Sequence, residues 1–373
     1  MPRLQRQQSL GDFARAGFLE LSEARTSITA LSELADVSVS TLLEAFSLSG
    51  DPDVALARVT ELRERHPGML DGLADADGKR LCLLFGASPA LGSFFVRNPS
   101  RLRELLASEG RVIGSAAART EMLLAVGADP ASTRPAATLA AEAGATALRV
   151  RYRELLAELM LYDLMAGLAG RARDAFEGVA ASLSHLADAA LEAGLAVARA
   201  TLAAGAAGGS PVAAERLEAV SLAIVAMGKC GAEELNVVSD VDVMFVAAAD
   251  DDLNPDVAMR IATQLAAETM RAIHDPASEP PLWQVDANLR PEGRQGALVR
   301  TLASHVGYYE RWAKTWEFQA LLKARACAGD RELGERYVEA IAPFVWSAAD
   351  HEGFVEDAQA MRRRVEAHIP ARI

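Results

Sequence analysis

Cysteine is scarce in this 373-residue chain, which has only Cys82, Cys230 and Cys327. They lie far apart and none falls in a C-x-x-C spacing, which excludes a disulfide framework and a zinc cage. Buried free thiols in a reducing compartment are expected. Aromatic residues make up only 5% although hydrophobic residues reach 51%. Alanine supplies much of the difference, and alanine favours helix. No run approaches about 20 uncharged apolar residues, so no membrane-spanning helix is expected. Residues 1–8 are basic and polar with no apolar stretch behind them, which argues against a secretory leader. A cytoplasmic location follows as the expectation. Positive charge is also short: 38 Lys and Arg stand against 51 Asp and Glu, a net charge of −13. That excludes a general nucleic-acid groove, which needs a basic face. It leaves room for a nucleotide site, which needs only local positive charge and metal.

What is present centres on residues 222–249. Leu222 to Met227 reads as a buried strand, and a Gly228-Lys229-Cys230-Gly231 turn follows. Ser239-Asp240-Val241-Asp242 then opens a second apolar run, Val243 to Ala249. Alternate residues on a strand share a face, so Asp240 and Asp242 are expected to point the same way. Adjacent carboxylates repel unless a cation lies between them, and Mg²⁺ or Mn²⁺ prefers such hard oxygen ligands. D-x-D alone also suits a solvated turn or a helix cap. Here it opens an apolar strand and follows a glycine turn that lets backbone N–H groups approach phosphate. That context points to a metal site for nucleotidyl transfer.

A third strand is read over Leu282 to Arg290, with Asp286 near its middle. An aspartate inside a strand is unfavourable unless it caps, pairs or binds metal, so Asp286 is the natural third carboxylate. Arg290, Arg294 and Arg300 lie in or beside the glycine-containing loop after it. They suit phosphate oxygens or a solvated loop. Lys229 is placed to touch phosphate or to stand in solvent. Asp250-Asp251-Asp252 is read as loop and helix cap.

The rest of the chain reads as helix: short helices at bundle spacing through residue 106, longer ones over Ala141 to Leu168 and Val179 to Leu202, and Gly205 to Pro211 as linker. Arg149, Arg151 and Arg153 are read as solvated or helix-contacting. Pro255 to His274 is helical, followed by helices over 301–312, 315–325, 331–346 and 353–368. Glu317, Lys323 and Arg325 fall in the second of these with Trp316. The tryptophans, Tyr308 and Tyr309 are read as core. The fold class is α+β, predominantly helical, with a small mixed sheet.

Three segments carry a family resemblance. The first is Gly228-Lys229-x-Gly231-x-x-Glu234-Leu235-Asn236-x-x-Ser239-Asp240-x-Asp242. The second is Val285-Asp286-x-x-Leu289-Arg290-Pro291-x-Gly293-x-x-Gly296-x-Leu298-Val299. The third runs from Arg311-Trp312-x-Lys314-x-Trp316-Glu317 to Lys323-Ala324-Arg325. Together they resemble the glutamine-synthetase adenylyltransferase/adenylyl-removing enzyme family, and Leu84-x-Gly86-x-Ser88-x-x-Leu91-Gly92 fits that family's helical N-terminal region. Two departures stand out: Ala232 where glycine is common, and Cys230 for a usual leucine.

The resemblance implies a helical region over 1–204, a polymerase-β-like nucleotidyltransferase core over 212–325, and a truncated start of a C-terminal helical bundle over 326–373. It implies one of the family's two catalytic halves, the N-terminal, adenylyl-removing one. Inorganic phosphate would then take AMP from adenylylated tyrosine on glutamine synthetase and leave as ADP. The implied metal ligands and catalytic residues are Asp240, Asp242 and Asp286. The implied nucleotide and phosphate contacts are Gly228, Lys229, Gly231, Ser239, Arg290 and Arg294. Alternatives are ATP-dependent adenylyl transfer, or a non-catalytic module binding glutamine synthetase or a PII-type nitrogen-signalling protein.

Overall fold

A computed structural model describes residues 8–35, 37–70, 75–206 and 210–348, together with 355, 356, 359, 360, 362 and 363. It divides into two compact units. One takes residues 1–112 and 153–179, the other 113–152 and 180–373.

The first unit is helical. Its helices are α1 (Leu10–Arg15), α2 (Leu21–Ala35), α3 (Val39–Ser47), α4 (Pro52–Arg65), α5 (Asp75–Ala87), α6 (Pro89–Arg97) and α7 (Pro99–Leu106). Local chemistry sets several of their starts. Asp51 accepts from the Val54 N–H and Ser88 from the Leu91 N–H, each followed by proline at the first helical position. Phe13, Phe18 and Phe46 pack ring against ring beneath α1–α3. Gly17, at φ +93°, turns the chain between α1 and α2.

α8 (Ser115–Ala125) belongs to the second unit, and α9 (Ala141–Leu168) and α10 (Ala172–Ala203) contribute residues to both. Then follow α11 (Ala214–Glu218), β1 (Val220–Ala226), α12 (Gly228–Gly231), β2 (Val241–Ala249), α13 (Pro255–His274), β3 (Val285–Asp286), β4 (Val299–Thr301), α14 (Leu302–Tyr309), α15 (Thr315–Leu321), β5 (Arg325–Gly329) and α16 (Arg331–Ser347). The sheet order is β3-β2-β1-β5, with β4 also pairing to β2. β1 runs antiparallel to β2 and to β5, whereas β3 and β4 run parallel to β2. The fold class read from the sequence, mostly helical α+β with a small mixed sheet, is the one observed. No helix among the described residues is long and apolar enough to cross a membrane. All three cysteines are buried free thiols.

The sheet's two central strands are apolar except at Ser221 and Asp242, as expected of strands covered on both faces. On one face Ala223, Val225 and Met227 of β1 and its end join Met244 and Val246 of β2. They form a core with Tyr309, Leu321, Leu333, Tyr337, Ile341 and Val345 from α14, α15 and α16. Asp242 shares the parity of Met244, so it lies on this face, at the strand's open end.

Three sequence expectations about local structure are corrected. The third strand holds two residues rather than nine, because the chain enters from Pro280-Pro281 and turns at Asn288. Arg325 opens a strand rather than closing a helix; α15 stops at Leu321. β2 begins at Val241, so Asp240 lies in the loop before it. The helix read over 353–368 lies largely outside the described residues, as do 207–209 of the linker.

Candidate active site

The site forms where β1 ends and β2 begins, beside the two-residue β3. The Met227 N–H donates to the Asp242 carbonyl at 2.9 Å, which keeps the chain paired as it leaves β1. α12 is a single helical turn, closed by Gly231 N–H to Met227 O at 2.9 Å and Ala232 N–H to Gly228 O at 3.2 Å. The leading N–H groups of such a turn have no acceptor within it, so they are available to an anion. Gly228 has φ +55°, and a Cβ there would lie 2.8 Å from Oδ2 of Asp242. Glycine is required both by the backbone and by the carboxylate beside it. The next residue but four, Glu233, holds φ +58° without being glycine. Such strain clusters at functional turns.

Asp242 and Asp286 are direct neighbours in the parallel register of β2 and β3. Carboxylate oxygens of Asp240, Asp242 and Asp286 lie within 4.8 Å of one another. Asp240 is exposed and the other two are half-buried. Asp286 is fixed by the Asn288 N–H, which donates to its Oδ1 at 2.7 Å. Burial pushes the Asp242 carboxyl up to about 6, with Asp240 and Asp286 adding to the rise and Lys229 opposing it. Three hard oxygen donors whose mutual repulsion Lys229 only partly offsets suit a divalent cation of the Mg²⁺ or Mn²⁺ kind.

The other residues singled out from the sequence divide. Lys229 donates to Ser239 Oγ at 3.2 Å, and Ser239 donates to Asn236 Oδ1 at 2.7 Å, so both stand beside the triad. Arg290 donates to the carbonyls of Gly296, Ala287 and Arg294 at 3.1, 2.7 and 3.2 Å. It fastens its own loop. Arg300 pairs with Glu292, donates to Ser304 Oγ and lies 5.9 Å from the Tyr308 ring. The exposed Arg294 side chain has no partner among the described residues. Asp286, Arg290 and Arg294 share a cleft of about 610 Å³ with His274 and Arg271 at the end of α13. Glu317 is buried and caps α15, accepting from the Lys314 N–H at 3.1 Å and from the Tyr308 hydroxyl at 3.2 Å. Lys323 pairs with Glu234 at 2.6 Å.

The residues that sequence reasoning missed are on α10. Ser184, Asp188 and Glu192 are almost fully buried, and each meets the α/β part. Ser184 Oγ accepts from the Leu235 N–H at 3.3 Å, Asp188 holds Arg325 at 2.6 Å, and Glu192 accepts from the Gly329 N–H at 2.6 Å. The signal was available: polar residues four apart within an otherwise apolar helical run mark one face.

The family model for glutamate-ammonia ligase adenylyltransferase matches residues 78–340. A curated protein of Leifsonia xyli, named bifunctional glutamine synthetase adenylyltransferase/adenylyl-removing enzyme, is 49% identical over 370 residues, covering 98% of this chain and 36% of that protein. Proteins of the same name from Streptomyces avermitilis and Streptomyces coelicolor are 42% and 45% identical, over 98% and 88% of this chain and 34% and 31% of their own length. The chain thus spans about a third of the length of these relatives.

Proposed function

The chain belongs to the glutamate-ammonia ligase adenylyltransferase family, and from that membership we propose that it is a nucleotidyltransferase acting on glutamine synthetase. The observation that supports this most directly is the approach of Asp240, Asp242 and Asp286 to within 4.8 Å beside the Gly228–Gly231 turn. These three carboxylates would hold a divalent cation, Mg²⁺ or Mn²⁺, which when bound offsets charge on phosphate oxygens.

The direction we propose is removal of AMP by phosphorolysis. Its support is the likeness of the Glu234-Leu235-Asn236 segment to the family's N-terminal, adenylyl-removing half. An oxygen of inorganic phosphate bonds to the AMP phosphorus, the bond from that phosphorus to the tyrosine oxygen breaks, and the tyrosine takes up a proton. ADP and the unmodified hydroxyl are the products. In this reading the turn's N–H groups and Lys229 bind phosphate oxygens, and Arg294 reaches a phosphate in the cleft it shares with Asp286. Arg290 keeps that loop in shape. The proposed location is the cytoplasm.

The test supplies the purified chain with adenylylated glutamine synthetase, inorganic phosphate and Mn²⁺, and measures ADP. Its formation, lost in Asp242→Asn, is expected. No ADP from a folded wild-type chain overturns the direction. Incorporation of AMP from ATP into unmodified glutamine synthetase would assign the opposite one.

A further inference from the structure

The third motif ends on a residue that the proposed chemistry leaves without a role. Arg325, at the start of β5, sends its guanidinium under the glycine turn. Its Nε donates to the Gly231 carbonyl at 3.2 Å and one terminal nitrogen donates to the Cys230 carbonyl at 2.9 Å. The same guanidinium grips both oxygens of Asp188, at 2.6 and 3.2 Å. Asp188 is 3% exposed. The Cys230 thiol, kept protonated by burial, donates to the same carboxylate at 3.7 Å.

The turn therefore has its Cys230 and Gly231 carbonyls tied down by Arg325, leaving its leading N–H groups for the phosphate of the proposed reading. Its exit is tied too: Ser184, one helical turn before Asp188, accepts from the Leu235 N–H. Gly231 admits this packing, since a Cβ there would lie 2.0 Å from the Lys323 carbonyl. A planar fork reaches two carbonyls and a carboxylate together, which a lysine ammonium does not reproduce.

We infer that Asp188 and Arg325 are positioning residues that set the Gly228–Gly231 backbone at the height a phosphate needs above the Asp240–Asp242–Asp286 triad. The inference rests on the nucleotidyltransferase reading above. Neither side chain touches substrate; both act through the turn. The triad itself is carried by β2, β3 and the loop before β2, so cation binding and phosphate binding separate at this point.

The experiment uses the full chain and the variants Asp188→Asn and Arg325→Lys. Calorimetry measures Mn²⁺ binding, then ADP binding in saturating Mn²⁺, and phosphorolysis kinetics give KM for phosphate. The expected result is Mn²⁺ affinity within about twofold of wild type, with ADP affinity lower by about tenfold and KM raised more than kcat is lowered. A merely structural role reduces the folded fraction, which lowers kcat and leaves KM in place. That outcome, or unchanged ADP affinity in folded variants, overturns the inference. Should either variant fail to fold, Ser184→Ala loosens the same turn from its exit. It is expected to weaken ADP binding by about threefold with Mn²⁺ binding intact, and unchanged ADP binding would overturn the inference equally. Wild-type chain that binds neither Mn²⁺ nor ADP would overturn the nucleotidyltransferase reading itself.

Discussion

Gly228 stands against Asp242: a Cβ on the glycine would lie 2.8 Å from the Oδ2 of the aspartate, and the glycine's own φ is +55°. The glycine leaves room for the carboxylate, and a methyl group at this one position disturbs the triad directly. Gly228→Ala carries roughly 1–2 kcal/mol of backbone strain. That lowers Tm by roughly 1–3 °C in a chain of this size. It also pushes the Asp242 carboxylate aside. Mn²⁺ affinity, read by calorimetry, is expected to fall by at least about tenfold. Wild-type affinity in the folded variant would show that the turn and the carboxylate move independently.

The crowding of three carboxylates sets a second expectation, about the cation-free chain. With Asp242 pushed up to about 6 by burial and by its two acidic neighbours, its charged form is unfavourable in the fold at pH 7. The folded-state value lies above the ordinary one, so this penalty is absent below about pH 4 and complete above about pH 6. Asp242→Asn removes it. In EDTA at pH 7.5 the variant is expected to melt at or above wild type, by about 2 °C after allowance for solvent screening. In millimolar Mn²⁺ the order reverses, because only wild type gains stability from the ion. A lower melting point for the variant in EDTA would contradict this account.

Two arginines of one loop are expected to fail differently. Arg290 donates to three carbonyls of residues 287–296, whereas Arg294 has no partner among the described residues. Arg290→Lys loses the planar fork and is expected to lower Tm and activity together. Arg294→Gln is expected to leave Tm within about 1 °C, since exposed unpaired charges contribute little to stability. Its KM for phosphate is expected to rise by about tenfold, the loss of one charge-assisted hydrogen bond. Parallel melting curves and phosphate titrations of the two variants decide the matter.

The parts of the site written in consecutive residues were legible in the sequence. The glycine turn and the D-x-D segment follow one another between apolar runs, and Asp286 stood out as an acid among strand-forming residues. β4 and β5 were not legible, because three to five residues give no periodicity to tell strand from helix. Arg325 looked like a helix end because its partner Asp188 is 137 residues away. Arg149 is the same case. Read as a solvated or helix-contacting residue, it is fully buried and donates to the carbonyls of Arg271, Ala272 and Glu279, closing the end of α13. Local pattern carries propensity and caps; pairings of high sequence separation leave only an odd polar residue as their trace.

His305 gives such a trace a pH dependence. It is 1% exposed, stacked on Tyr309 at 6.0 Å and edge-on to Tyr337 at 5.0 Å. Those two hydroxyls bond each other at 3.0 Å. Burial pushes the imidazole down to about 4, with Arg300 adding and the Phe245 backbone opposing. The ring is therefore neutral in the fold at pH 5, whereas in the unfolded chain, near its ordinary 6.5, it is protonated. A folded-state value below the unfolded one means stability that is complete above pH 6.5 and is lost as pH falls toward 4. Between pH 7 and pH 5 the loss comes to roughly 2 kcal/mol. His305→Phe keeps an aromatic ring among the tyrosines and cannot take up a proton. Urea unfolding of both proteins at pH 7, 6 and 5 is expected to show wild type weakening relative to the variant by that amount. Other acid-sensitive groups shift both proteins alike and cancel in the difference. Parallel pH curves would mean that the imidazole finds a partner for its proton inside the fold.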